Sequence, residues 1–185
     1  KFKKNTNAII YGAGPIGYLL STLLIYYGAK KVFLVDGNSL RLKIGPKYKN
    51  LYKLDVKNYE KKIKKILKTK EKIKYGFVAC NSPEAQQNVL KIVDIGGVVN
   101  YFSGIKQGKS KINVSIDTNL IHYKELSIVG SHGSKKEHII KAAQLIINNK
   151  LKLKKIITNV YDIKKYDLAF KKSENANCLK VVINP

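Results

Sequence analysis

Short apolar runs alternate along this chain with segments in which apolar residues recur every three or four positions. The runs predict strands near Asn7–Tyr11, Lys31–Val35, Leu51–Leu54, Tyr75–Ala79, Val98–Phe102 and Leu126–Val129. The helical spacing predicts helices near Pro15–Gly28, Asn58–Lys70, Pro83–Asp94 and Lys135–Asn148. Gly28, Gly76, Gly96, Gly97 and Gly104 punctuate the joins. Ser82-Pro83-Glu84 reads as an N-cap with proline in the first turn, and Ser134-Lys135-Lys136-Glu137 as a capping box. Gly104 to Lys124 shows no clear helix and is expected to cross over as a loop with a short extended piece. Beyond Lys150 the pattern changes to a strand near Ile156–Val160, a helix near Asp162–Lys172 and a strand near Leu179–Ile183.

Strands that alternate with helices imply an α/β fold built on a parallel sheet. The expectation is a doubly wound, six-stranded Rossmann sheet with a short C-terminal α/β tail. Residues 1–150 would form the dinucleotide-binding domain and 151–185 a separate C-terminal segment.

The first strand carries the chemistry that supports this reading. Asn7–Tyr11 runs straight into Gly12-Ala13-Gly14-Pro15-Ile16-Gly17, a helix pattern follows at once, and the second strand ends in Asp36. This is the dinucleotide fingerprint in its required strand–turn–helix context, with an acid about 20 residues on. Gly12 permits the tight turn, Gly14 lets the backbone approach a pyrophosphate, and Gly17 lets the helix pack on the strand. Pro15 suits a first helical turn, and with Ile16 it completes the cradle in which helix N–H groups face phosphate. Asp36 is placed to accept both hydroxyls of the adenosine ribose and to repel a 2′-phosphate, so the cofactor expected is NAD rather than NADP.

Strand C-termini line the ligand crevice in such sheets. Cys80 therefore reads as a cofactor contact or, equally well, as a small buried hydrophobe, and not as a nucleophile. Phe102, Ser103 and Gly104 end the fifth strand and would meet the nicotinamide half. Ser131 and His132 end the sixth and would meet the carboxamide. His122 and His138 read as structural or exposed. No catalytic residue and no metal site is expected within these 185 residues.

Composition narrows the partners. The formal charge is +24, yet of 36 basic residues only Arg41 is arginine. Nucleic-acid readers favour arginine for base edges and forked phosphate contacts, so the charge reads as a solvated lysine coat, with no nucleic-acid partner. No apolar run reaches the length of a membrane span, so no membrane partner is expected. Two cysteines in unrelated contexts make no disulfide framework, which points to a reducing, cytoplasmic setting. There is no methionine, and the first residue is Lys1. The expectation is a piece of a longer protein whose N-terminal part is missing, while Lys180–Pro185 reads as a natural terminus.

In order along the chain, four groups of residues resemble one family. They are Tyr11–Gly17 with Val35-Asp36 and Arg41-Leu42, then Gly96–Gly104, then His122–Ser131, and finally Ile157–Asn159 through Ala169-Phe170 to Leu179–Ile183. Together they resemble the coenzyme domain of the medium-chain, zinc-type alcohol and polyol dehydrogenases, closest to the sorbitol and threonine dehydrogenase branch. The resemblance implies that catalytic zinc and most substrate contacts belong to an N-terminal domain absent here. It implies that the tail from about Lys150 returns to complete that domain, and that Arg41 flanks the adenine. The function so implied is hydride transfer between NAD and a secondary alcohol or sugar alcohol, the zinc polarising the alcohol oxygen in the absent part. The partner is then a small-molecule alcohol or sugar-alcohol substrate, with a homo-oligomer as a family-level expectation. The alternative from the residues themselves is a non-catalytic NAD-binding or redox-sensing module, which the same fingerprint serves.

Overall fold

Strand β1 (Asn7–Tyr11) is buried at every position, because it is the middle of a parallel sheet covered on both faces. The computed structural model describes residues 2–106, 112–151, 153–175 and 177–185. Six parallel strands pair in the order β3-β2-β1-β4-β5-β6, with β2 at Lys31–Asp36, β3 at Leu51–Asp55, β4 at Ile73–Val78, β5 at Val98–Tyr101 and β6 at Ser127–Gly130. This is the expected doubly wound topology. The strand order reverses between β1 and β4, which opens a crevice at their C-terminal ends.

Alternation along the strands divides the core into two layers. Ile9, Tyr11, Phe33 and Val35 pack with Tyr59 and Ile63 of α3 (Tyr59–Ile66) and with Val89 and Leu90 of α4 (Pro83–Ile92). Ala8, Ile10, Val32 and Leu34 face the other way, onto Tyr18 and Leu24 of α1 (Pro15–Tyr26). The same second layer takes in Ile156 and Leu179 from the tail. Each large side chain so buried contributes about 1.5–3 kcal/mol.

Several local expectations are corrected. A short helix α2 (Ser39–Ile44) follows β2, capped by Asn38, whose Oδ1 accepts from the N–H groups of Leu40 and Arg41. A second short helix, α5 (Thr118–Tyr123), lies in the stretch read as a loop; residues 107–111 of that stretch lie outside the described residues. Asp117 caps α5 through the Asn119 N–H, so a single side chain starts a helix too short to show periodicity. Helix α3 ends at Ile66 rather than Lys70. Helix α4 keeps its expected Ser82 cap, with Oγ accepting from the Ala85 N–H at 3.2 Å. The capping box at Ser134 and Glu137 does not form. Helix α6 (Lys136–Ile147) starts one residue later, and His138 Nδ1 accepts from the Lys135 N–H instead.

Lys124 closes the other end of α4. Its ammonium donates to the carbonyls of Leu90, Lys91 and Val93 at 3.0, 2.7 and 3.0 Å, meeting the negative end of the helix dipole. The tail forms a separate parallel pair, β7 (Ile157–Asp162) with β8 (Lys180–Asn184), joined by α7 (Tyr166–Glu174). Neither β6 nor α6 has a buried residue.

Glu71 ties the start of β2 to the loop before β4. Its carboxylate meets Lys30 at 2.7 Å, pairs with Lys31, and accepts from the Lys68 N–H at 3.0 Å. The hydrogen bonds from the two lysines hold its pKa down at about 2, against an ordinary 4.5. A depressed carboxylate pKa stabilises the fold above the unfolded value, and that stability disappears as pH falls through the folded one. Glu71→Gln should therefore lower the urea midpoint at pH 7. The gap to wild type should shrink as pH falls from about 4.5 towards 2, followed by urea melts across that range.

Candidate functional site

Parallel pairing in register brings the C-terminal ends of the strands to one edge of the sheet. Tyr11 lies beside Val35 and Val78, Asp36 beside Asp55, and Tyr101 beside Gly130. The residues that follow these ends, Gly12, Gly37, Val56, Cys80, Phe102 and Ser131, are thereby gathered along that edge.

The glycine turn is shaped by contact. Gly12 has φ +107°, a left-handed conformation that favours glycine, and a Cβ there would stand 2.7 Å from the Ala79 carbonyl oxygen. A Cβ on Gly17 would collide with the Gly12 carbonyl oxygen. Over Gly14, by contrast, the space is open. Gly14 is the N-cap of α1, no side chain caps this helix, and Pro15 takes its first turn. The first-turn N–H groups thus keep their capacity for an anion.

Asp36 joins two loops. One carboxylate oxygen accepts from the Ala13 N–H in the glycine turn, the other from the Asn38 N–H at the start of α2, both at 2.6 Å. Tyr18, fully buried under α2, donates its hydroxyl to the Arg41 carbonyl at 2.8 Å and so fixes the residue that forms the far wall. Burial raises the Tyr18 hydroxyl pKa, with the Asp36 charge adding to it, so the group stays a donor. Arg41 Nε is buried with no hydrogen-bond partner, an orphan donor beside this cavity.

The first cavity measures about 450 Å³. Gly12, Asp36, Arg41 and Cys80, four of the residues read from the sequence as cofactor contacts, line it. Val56, Ser82, Glu84 and Asn88 line it as well, and the sequence reading missed those roles. Val56 was detectable as the residue after a strand end, and Glu84 and Asn88 as one face of α4. Burial pushes the Cys80 thiol up to about 11, with the Asp36 charge adding to it, so it is a protonated lining group rather than an activated nucleophile.

A second cavity of about 470 Å³ lies at the ends of β5 and β6. Phe102, Ser103, Gly104, Ser131 and His132 line it together with Gln86, Tyr101 and Gly130. Ser131 exchanges hydrogen bonds with the Asn100 side-chain amide at 2.6 and 2.9 Å. The Phe102 and Ser103 N–H groups both donate to the Val78 carbonyl, which pins the loop after β5 to β4. Pro15 and Ile16 lie at the start of α1, with Ile16 exposed.

The site is therefore two hollows on one sheet edge, with the glycine turn opening into the first. A phosphate cradle, an acid and an orphan guanidinium nitrogen fit a dinucleotide. Among the described residues, no group of three or more His, Cys, Asp or Glu side chains is placed to hold a metal ion. No helix among them is long and apolar enough to cross a membrane.

Residues 15–148 match the family described as zinc-binding dehydrogenase. L-threonine 3-dehydrogenase of Chromobacterium violaceum is 25% identical over 179 residues, which cover 96% of this chain and 51% of that protein. The chain thus spans about half the length of the curated relatives it matches. Among solved structures, an alcohol dehydrogenase of Escherichia coli CFT073 complexed with NADH superposes with a TM-score of 0.80 at 21% identity, over 98% of this chain and 52% of that one. A zinc-binding dehydrogenase of Sinorhizobium meliloti bound to NADP gives 0.80 at 20% identity, over 99% and 53%.

The Gly17 contact predicts that Gly17→Ala forces α1 off β1. Overpacking of this kind costs about 1–3 kcal/mol. It should appear as a lower urea midpoint, whereas Gly14→Ala, facing open space, should leave the midpoint nearly unchanged.

Proposed function

This chain belongs to the zinc-binding dehydrogenase family, and on that premise we propose that it is the NAD-holding part of an alcohol dehydrogenase acting on a secondary alcohol or sugar alcohol. The observation that carries the reading is the glycine turn. Gly12 and Gly17 admit no side chain, and the uncapped start of α1 opens beside Asp36. The threonine dehydrogenases among its relatives act, by their names, on one such alcohol.

Each residue has an assigned task in this reading. Gly12, Gly14, Pro15, Ile16 and Gly17 hold the pyrophosphate with main-chain N–H groups and the helix dipole. Asp36 accepts from the adenosine ribose, exchanging or sharing its present bond to the Ala13 N–H. Arg41 lies along the adenine. Cys80 contacts the dinucleotide from the wall of the first hollow, and Phe102, Ser103, Gly104, Ser131 and His132, which line the second, orient the nicotinamide half. Bound NAD supplies a hydride acceptor at nicotinamide C4. The residues here bind and orient, and no step through zinc is assigned to them. We assign residues 1–150 to dinucleotide binding and 151–185 to a segment that joins a catalytic domain. Both free cysteines suit the reducing environment of the cytoplasm.

Asp36 also carries the preference for NAD, because a 2′-phosphate would bring negative charge against an oriented carboxylate. Calorimetry should show NADH binding to the 185-residue chain more tightly than NADPH, and Asp36→Ala should narrow the difference. Tighter binding of NADPH by the wild type would overturn this assignment. The same chain should give no alcohol-dependent formation of NADH, followed by the absorbance of the reduced nicotinamide, since this reading places the groups that activate the alcohol outside these residues.

A further inference from the structure

A third hollow, of about 480 Å³, lies at the edge strand β3 and is lined by Leu42, Lys43, Lys47, Leu51 and Lys53. None of these residues lines the first cavity. Leu42 and Leu51 give it an apolar floor, since both pack into the layer that holds Tyr18. Three amines and no carboxylate complete the lining. Lys53 is the ordered one of the three. Alternation along β3 turns it the same way as Leu51, so it is half-buried. Its ammonium donates to the Gly45 carbonyl at 2.7 Å and stands 5.2 Å from the centre of the Tyr18 ring. An ammonium has three donors, so protons remain for a ligand. Burial lowers the Lys53 pKa, and the Lys47 charge lowers it further. The surroundings supply little to offset that repulsion. Between Arg41 and Lys74 there are 14 basic residues and 3 acidic ones. Glu71 is engaged by Lys30 and Lys31, Asp55 by the Lys57 N–H, and Glu60 by the Tyr59 hydroxyl.

We propose that this hollow is a second anion site, in which Lys43, Lys47 and Lys53 hold a compact oligophosphate apart from the dinucleotide crevice. A ligand with several negative charges relieves the repulsion between Lys47 and Lys53, and a chain of phosphates spreads its charge far enough to meet more than one amine. Lysine suits this task because it binds phosphate as a point charge and demands no planar, forked geometry. The competing account is a lysine coat that attracts any anion equally over the whole molecule. Lys61 and Lys64, exposed on α3 and outside the hollow, measure that background.

The test is calorimetry with inorganic tripolyphosphate at physiological ionic strength, where distant charges are largely screened. It is run on the 185-residue chain, on a double variant Lys43→Gln with Lys47→Gln, and on a control double variant Lys61→Gln with Lys64→Gln. All four lysines are exposed, so both variants should fold, and thermal melts check this. Losing two charged donors should weaken binding about tenfold in the first variant. The control, which removes the same charge, should change it less than about twofold. Lys47→Gln alone should carry part of the loss, which keeps the test open if the double variant melts early. Excess NADH should leave the tripolyphosphate affinity unchanged. Absence of binding, an equal loss in both double variants, no loss in either, or displacement by NADH would each overturn the site.

Discussion

The contact between Gly17 and the Gly12 carbonyl sets the geometry of everything at the C-terminal edge of the sheet. Helix α1 can lie against β1 only because Gly17 has no Cβ to meet that carbonyl, while a Cβ on Gly12 would run into Ala79 after β4. With the helix that close, its N-terminus points across the end of the most buried strand. Parallel pairing then fixes the neighbours in step, since Val35 and Val78 flank Tyr11 on either side. Asp36 adds the second constraint. One carboxylate bonds the glycine turn and the α2 turn at once, so the loops on two sides of the first cavity are joined through a single side chain.

The site is assembled from strand ends, and the strands are held by two layers of apolar side chains rather than by polar contacts within the site. Tyr18 shows how the layers communicate with the edge. Its ring belongs to the layer under α1, while its hydroxyl holds the carbonyl of Arg41 at the cavity wall. The tail shares that same layer through Ile156 and Leu179, so the segment after residue 150 is packed against the nucleotide sheet even though its two strands pair only with each other. The exposed faces of β6 and α6 contrast with the buried centre at β1.

Much of this was legible from residues alone, for identifiable reasons. The inner strands β1 and β2 stand out because a sheet covered on both faces needs continuous apolar runs. The glycine turn stands out because close packing forbids a side chain at Gly12 and at Gly17. Where the reading slipped, a single side chain had decided the outcome. Asp117 and Asn38 start short helices that carry no periodic signal, and His138 displaced the expected partner of the α6 cap. Val56, Glu84 and Asn88 were missed because their role depends on which strand ends become neighbours.

What the sequence determined by itself, then, was the succession of elements, the phosphate turn and its acid, since these follow from local chemistry and from periodicities that each element carries within itself. What only the tertiary structure decided was the company those residues keep: the two cavities, the engagement of Asp36 by both loops, the orphan nitrogen of Arg41 and the place of Glu84 on the facing wall. Those depend on the order β3-β2-β1-β4-β5-β6, which brings residues far apart in the chain to one edge by hydrogen bonds between strands that no local pattern encodes.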